Sequence, residues 1–108
     1  MSKVITSPVE RWPGTVTLTD PITFPQYAII EDCLVIANGK HGLASYQLAM
    51  FPAILAVAEK WELGGDFPIK LTAENFPFRP KEDRNSLMNC LINEILYIFN
   101  GEHKDPND

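Results

Sequence analysis

The spacing of apolar residues along the chain predicts helices as its main elements. Residues 14–19 alternate polar and apolar side chains and include β-branched ones, which favours a half-buried strand. Residues 24–37 then carry apolar side chains at helical spacing. Thr23, with Gln26 three positions later, is typical of a capping box at the start of this helix, and Gly39 supplies a left-handed stop at its end.

Two further helices are predicted downstream. Residues 44–61 form the second, and we expect a kink or a short break near 48–52 because Pro52 removes a backbone hydrogen bond and clashes with the preceding turn. A double glycine at 64–65 ends it, and Pro80 fits the first turn of the last helix. The last helix has a broad apolar stripe, made of Leu87, Met88, Leu91, Ile92, Ile95, Leu96, Ile98 and Phe99. This stripe is wider than the core of one small bundle needs, so we expect part of it to form a binding face or a self-association surface.

Together these elements predict a mainly α fold with a small β element. The strand at 15–19 needs a partner, and 67–71 is the best candidate for a two-strand ribbon packed on the helices. Residues 1–13 contain two prolines and are predicted to be irregular. We therefore expect one domain of three helices, one of them kinked, over residues 1–100. A disordered polar tail is expected at 101–108.

The segment from Trp61 to Pro80, WELGGDFPIKLTAENFPFRP, combines aromatic residues, prolines and a double glycine. Within it, Thr72 and Asn75 are spaced for a capped single turn. One interpretation is a connector that folds back and places its aromatic side chains in the core. The other is a rigid aromatic surface for a protein partner, because aromatic residues are enriched at such surfaces and fixed proline geometry lowers the entropic cost of presenting them. The candidate partner-binding residues are Trp61, Phe67, Phe76, Phe78, Met88, Ile92 and Leu96.

Composition and charge narrow the classes of function. The chain has 108 residues, 45% of them hydrophobic, and a net charge of −5. The acidic charge disfavours nucleic-acid binding, which requires a basic surface against phosphate. Cys33 and Cys90 lie in apolar stretches and are predicted to be buried, unreactive thiols. The sequence shows no secretory leader and no apolar run long enough to span a bilayer, so we expect a protein of the reducing cytoplasm that does not contact a membrane.

Candidate catalytic and metal-binding residues are few. His41 lies in a glycine-flanked loop and His103 in the polar tail, and both are expected to be solvated. Glu59 and Glu62 could share a helix face and bind a cation, although a solvated face is the commoner reason for such spacing. The sequence lacks the spacing of a zinc site, a phosphate-binding loop or a dinucleotide site. It therefore predicts no catalytic residue, no metal site and no cofactor.

A series of short motifs begins at residue 61, namely Trp61-Glu62-Leu63, Gly64-Gly65, Pro68, Leu71-Thr72-Ala73-Glu74-Asn75, Phe76-Pro77 and a closing amphipathic helix. Over roughly residues 55–100, this series resembles the C-terminal half of the small tail assembly chaperones of long-tailed bacteriophages. In that family a helix often ends in a tryptophan-containing element, which a glycine- and proline-containing loop, a short turn and the last helix follow.

The resemblance implies a mostly helical protein without enzymatic activity, in the cytoplasm of the bacterial host. It also implies that the chain binds the tape measure protein by reversible hydrophobic contacts and helps to bring the tail tube protein to it. An apolar face on an acidic body suits a long, aggregation-prone partner. The alternative function is a small phage or host regulator or inhibitor that acts by protein–protein binding. An enzyme would require His41 to approach a carboxylate or Cys33 in a cleft.

Overall fold

The computed structural model describes residues 2–101, which form an α+β fold. The three strands are β1 (Ser2–Thr6), β2 (Gly14–Thr19) and β3 (Ala58–Leu63). The three helices are α1 (Phe24–Asn38), α2 (Leu43–Val57) and α3 (Lys81–Phe99). Apart from residue 101, the predicted disordered tail lies outside the described residues.

The strands form one antiparallel sheet with β2 in its centre. In the register of the sheet, Ile5 lies opposite Val16, and Val16 lies opposite Trp61. This face of the sheet points to the core, where Val16 and Leu18 are buried. The threonines that alternate with them, such as Thr17, are half-buried on the other face. One-sided burial therefore explains the alternating pattern that predicts β2.

The prediction of a mainly α fold with a two-strand ribbon is wrong, because the chain contains a three-stranded sheet. A strand does lie at 14–19, but it pairs with β1 and β3 and not with 67–71. β1 occupies a stretch predicted to be irregular, and the two prolines that suggested irregularity stand after the strand ends. Residues 58–61 of β3 were predicted as the end of the second helix, because Ala58 continues the helical spacing of Ile54.

The start of α1 is fixed by the predicted capping box. The Gln26 N–H donates to Thr23 Oγ1 at 3.3 Å, and the Thr23 N–H donates to Gln26 Oε1 at 2.8 Å. The Gln26 side chain also donates to the Ala56 carbonyl at 2.9 Å, which ties the start of α1 to the end of α2. At the other end, Gly39 has a φ of −88°, so the predicted left-handed stop is wrong.

α2 ends at Val57, and β3 begins at the next residue, Ala58, without a connecting loop. The predicted helix end at 61 is therefore wrong. Of the kink or short break predicted near 48–52, the break does not occur, because the helix runs continuously through Pro52. Phe51 and Ala53 on either side of the proline are buried, and this packing holds the helix together despite the missing hydrogen bond.

One hydrophobic core joins the inward face of the sheet to all three helices. α3 contributes six buried residues to this core, namely Leu87, Met88, Leu91, Ile92, Ile95 and Ile98. Most of the stripe on α3 is therefore used by the core and is not free to form a binding face. At the edge of the core, Lys3 of β1 forms an ion pair with Glu94 of α3.

The loop that joins β1 to β2 is anchored by Trp12, whose side chain is fully buried. Its indole N–H donates to Asp66 Oδ1 at 2.7 Å, and its ring lies edge-on to Phe67 with the ring centroids 5.6 Å apart. The Gly64 N–H donates to the Pro13 carbonyl at 2.7 Å. These contacts fasten the loop to the segment that follows β3.

Gly14 lets two strands approach each other closely at the start of β2. Its φ of 129° lies in a region that favours glycine. A Cβ at this position would stand 1.9 Å from the Glu62 carbonyl oxygen in β3. Because Gly14 has no side chain, it can lie opposite Leu63 and extend the pairing of β2 with β3 to its first residue.

None of the helices within residues 2–101 combines the length and the apolar character that crossing a membrane requires.

Candidate functional site

A groove opens between α2, the turn that follows residue 71 and the first turns of α3. Its volume is about 200 Å³. The lining residues are mainly apolar: Ala44, Gln47, Leu48, Phe51, Ala73, Glu74, Phe76, Phe78, Arg84 and Met88. A cavity of about 150 Å³ can hold a benzene molecule. The groove therefore has room for one or two large apolar side chains.

The α2 wall of the groove follows from helical spacing. Ala44, Gln47, Leu48 and Phe51 stand at positions i, i+3, i+4 and i+7, which lie on one side of a helix. Leu48 is largely exposed although α2 carries no charged residue at all. An exposed leucine next to an apolar groove extends the surface that a partner could cover.

The opposite wall depends on a capped turn. The Thr72 N–H donates to Asn75 Oδ1 at 2.7 Å, and the Asn75 N–H donates to Thr72 Oγ1 at 3.2 Å, which confirms the predicted single turn. The Asn75 side chain also donates to the Lys70 carbonyl at 2.6 Å. The turn delivers Phe76 to the groove, and the extended segment after it leaves Phe78 largely exposed at the rim.

A chain of aromatic contacts supports the groove from below. Phe76 lies edge-on to Phe51, with centroids 5.3 Å apart, and edge-on to Phe67, with centroids 5.8 Å apart. Phe67 is buried and stacks on Trp61 with centroids 5.9 Å apart, in addition to its contact with Trp12. Edge-on and offset aromatic pairs are favourable geometries. The apolar wall is therefore held in place before any partner binds.

Gln47 is the polar residue in the α2 wall of the groove. Its side chain is only 2% exposed, and its Nε2 donates to Asn85 Oδ1 at 3.1 Å. Its Oε1 is buried without a hydrogen-bond partner. An unsatisfied buried acceptor costs about 1–3 kcal/mol, so a donor that reached Oε1 would recover part of that cost. Glu74 and Arg84 add one charge of each sign to the lining.

The predicted partner-binding residues fall into two groups. Phe76, Phe78 and Met88 line the groove together. The others lie elsewhere: Phe67 and Ile92 are buried in the core, Trp61 is half-buried on β3, and Leu96 is half-buried on α3 near Tyr97. Trp61 does not end a helix as the family resemblance implies.

Sequence reasoning missed the α2 wall of the groove. Helical spacing would place Leu48 and Leu55 on one side of α2 with Phe51 and Ile54, yet both leucines are exposed and Ile54 is fully buried. The signal that could have found the wall is the absence of charge from α2. A helix that is apolar all round has more than one surface to cover.

The candidate catalytic and metal-binding residues are not brought together. His41 is exposed, and His103 lies outside the described residues. Glu59 and Glu62 lie on strand β3, so the predicted shared helix face is wrong. Glu59 Oε2 accepts a hydrogen bond from Ser2 Oγ at 2.6 Å. Within residues 2–101, no three histidine, cysteine, aspartate or glutamate side chains are grouped so that they could hold a metal ion.

Both cysteines are free thiols. Burial raises the pKa of the Cys33 thiol above its ordinary value, and the nearby Asp32 carboxylate raises it further, while a backbone hydrogen bond from Ala53 partly offsets the rise. Burial and the nearby Glu94 carboxylate also raise the pKa of the Cys90 thiol above its ordinary value. Each thiol therefore holds its proton more tightly in the folded chain, which makes it a poor nucleophile at neutral pH.

These raised pKa values predict a loss of stability at alkaline pH. A thiol of ordinary pKa in the unfolded chain ionises near pH 8.5, whereas the folded chain keeps the proton to higher pH. The contribution is fully present below the pKa of the unfolded chain and is lost as the pH rises through the folded pKa. Urea unfolding from about pH 7 to pH 10 should show a steeper loss for the natural chain than for Cys33→Ala. Equal slopes for the two proteins would contradict the expectation.

Comparison of the chain with protein-family models, with curated proteins and with solved structures found no match.

Proposed function

We propose that this chain is a tail assembly chaperone of a long-tailed bacteriophage, which binds the tape measure protein and aids tail tube assembly. The observation that carries the proposal is the apolar groove beside α2. Its second wall consists of residues from the 61–80 segment, which is the part of the chain that resembles the chaperone family. Of the family's motifs, the turn is present in the structure at residues 72–75, whereas the helix that ends in tryptophan is not, because Trp61 lies on β3.

The groove suits a partner that is bound and later released. It accepts one or two side chains, and contacts of such limited size are typical of weak, transient interfaces. A long helix with repeated apolar residues, such as a tape measure protein, could place successive side chains in the grooves of several chaperone molecules. Each contact would shield part of the helix without holding it permanently, as assembly requires.

Co-expression with the tape measure protein of the same genome tests the proposal. The natural chain should keep that protein in the soluble fraction. Leu48→Glu should lower the soluble amount markedly, because burying a leucine contributes about 1.5–3 kcal/mol and its loss weakens binding by about tenfold or more. Phe78→Ser should act in the same direction. Val4→Glu is the matched control, since Val4 is similarly exposed but lies on β1 away from the groove.

The possible outcomes test the chaperone function and the groove as its binding site separately. If the tape measure protein precipitates equally with and without the natural chain, the chaperone assignment fails. If the natural chain and Leu48→Glu keep it equally soluble, the groove is not the binding site. If Val4→Glu is as harmful as Leu48→Glu, the effect comes from a general loss of stability and the groove assignment also fails.

A further inference from the structure

The side of α1 that points away from the core carries an unusual number of apolar residues. Phe24, Ala28, Glu31 and Val35 follow one another at helical spacing along this side, and Ile29, Asp32 and Ile36 form a second row beside them. We call these seven residues the outward face of α1. The Phe24 side chain is 84% exposed and the Val35 side chain is 72% exposed.

The fold does not use this face. α1 packs into the core through Ile30, Cys33 and Ala37, which lie on the opposite side of the helix. A surface helix of a globular protein normally carries polar residues where it meets solvent, and contiguous exposed apolar residues mark an interaction surface. The outward face is also separate from the groove, which no residue of α1 lines.

The charges on the outward face of α1 indicate which kind of partner fits it. Its only charged residues are Glu31 and Asp32, one in each row, and α1 contains no basic residue. A second copy docked through the same face would bring these carboxylates together, and like charges in contact are unfavourable. An anionic lipid surface is repelled for the same reason. An apolar partner with basic residues beside its apolar stripe complements both the rows and their charges.

We propose that the outward face of α1 docks an amphipathic helix of another protein whose apolar stripe is flanked by lysine or arginine. The partner's apolar side chains cover Phe24, Val35 and Ile36. Its basic side chains pair with Glu31 and Asp32. In this helix-on-helix mode the contacts are made by side chains that stand three and four residues apart on each helix, and not by main-chain hydrogen bonds. It is a second protein-binding surface and does not depend on the function proposed for the groove.

Binding of two matched peptides to the full chain tests the proposal. The first is a labelled amphipathic peptide of leucine and lysine, about 18 residues long so that it can form a helix. The second has glutamate at every lysine position. Fluorescence anisotropy should show that the lysine peptide binds at least about tenfold more tightly than the glutamate peptide. The double variant Glu31→Lys with Asp32→Lys should reverse this preference, because the charge complementarity is exchanged.

A pair of valine variants locates the contact. Val35→Ser should weaken binding of the lysine peptide by about fivefold to tenfold, since an exposed apolar contact is lost. Val4→Ser is the matched control, because Val4 is 61% exposed but lies on β1. Equal effects of the two substitutions, or equal binding of the two peptides, would refute the proposal.

Two further measurements on the natural chain test whether a second copy of the chain or a lipid surface covers the outward face of α1. Sedimentation should give a monomer at micromolar concentration, and a dimer that Val35→Ser dissociates would show that a second copy covers the face. Vesicles of phosphatidylglycerol should not bind the chain, and binding that Val35→Ser abolishes would show a lipid occupant. Either result overturns the proposal for α1. Neither result bears on the groove, which the Leu48→Glu variant tests separately.

Discussion

Replacing Trp12 with alanine is expected to lower the free energy of unfolding by about 3–5 kcal/mol, which is the range for truncation of a large buried aromatic residue. Trp12 is fully buried, contacts Phe67 and donates its indole N–H to Asp66. Its removal leaves a cavity and frees the loop between β1 and β2 from the segment after β3. Urea unfolding followed by far-ultraviolet circular dichroism measures the loss without relying on tryptophan fluorescence.

A conservative substitution separates the two roles of Trp12. Trp12→Phe keeps an aromatic ring in the core but cannot donate to Asp66, so it should cost less than Trp12→Ala. The added cost of Trp12→Ala then reports the packing of the ring. Phe78→Ala, at an exposed position, should change the free energy of unfolding by less than about 0.5 kcal/mol. A loss below about 1 kcal/mol for Trp12→Ala would show that the loop is not anchored by this residue.

Gly14→Ala should have the second largest effect, because two penalties act at one position. The backbone φ of 129° is unfavourable for any residue with a Cβ and costs about 1–3 kcal/mol. The new Cβ would also stand 1.9 Å from the Glu62 carbonyl oxygen, so β2 and β3 must separate at this end. We expect a loss above about 3 kcal/mol in urea unfolding, together with faster amide exchange at Leu63.

Gly101→Ala provides the matched control. Gly101 also has a positive φ, of 69°, but nothing lies within 4 Å of its Cβ position. This substitution should therefore carry only the backbone penalty of about 1–2 kcal/mol. The excess loss of Gly14→Ala over Gly101→Ala reports the steric conflict with Glu62 together with the higher backbone cost at a φ of 129°. Equal losses would mean that β3 moves aside without cost.

Three local features were predicted from the sequence, although another local signal, the left-handed stop at Gly39, was wrong. The capping box at Thr23 and Gln26 specifies where α1 begins, and the turn at Thr72 and Asn75 closes through its own side chains. β2 alternates because one of its faces is buried. Each of these signals is contained within a few neighbouring residues, so no knowledge of the rest of the fold is needed to read it.

The elements that depend on distant partners were not predicted. β3 is a strand because β2 lies beside it, while its own sequence continues the helical spacing of α2. β1 likewise becomes regular only by pairing with β2. The spacing of apolar residues in α3 likewise did not show which of them the core uses, and Met88 and Ile92, both predicted to bind a partner, are buried.

The groove was only partly predicted, because one of its walls carries local signals and the other depends on how α2 packs. The aromatic segment pointed to Phe76 and Phe78, because prolines and a capped turn restrict where their side chains can go. The wall that α2 contributes, including Leu48, depends on which side of that helix faces α1. The sequence could not reveal this choice, because both sides of α2 are apolar.

The direct junction between α2 and β3 makes the chain length at this point critical. Val57 is the last helical residue and Ala58 the first strand residue, so no linker separates them. Glu59 is already an extra residue in β3, because Thr17 pairs with Lys60 and Leu18 with Ala58. A further residue between Glu59 and Trp61 would shift the register of β3 by one position and turn Trp61 from the core to the solvent side. Homologous chains should therefore vary in length in the segments before α1 and α2 and keep a constant spacing between Pro52 and Trp61.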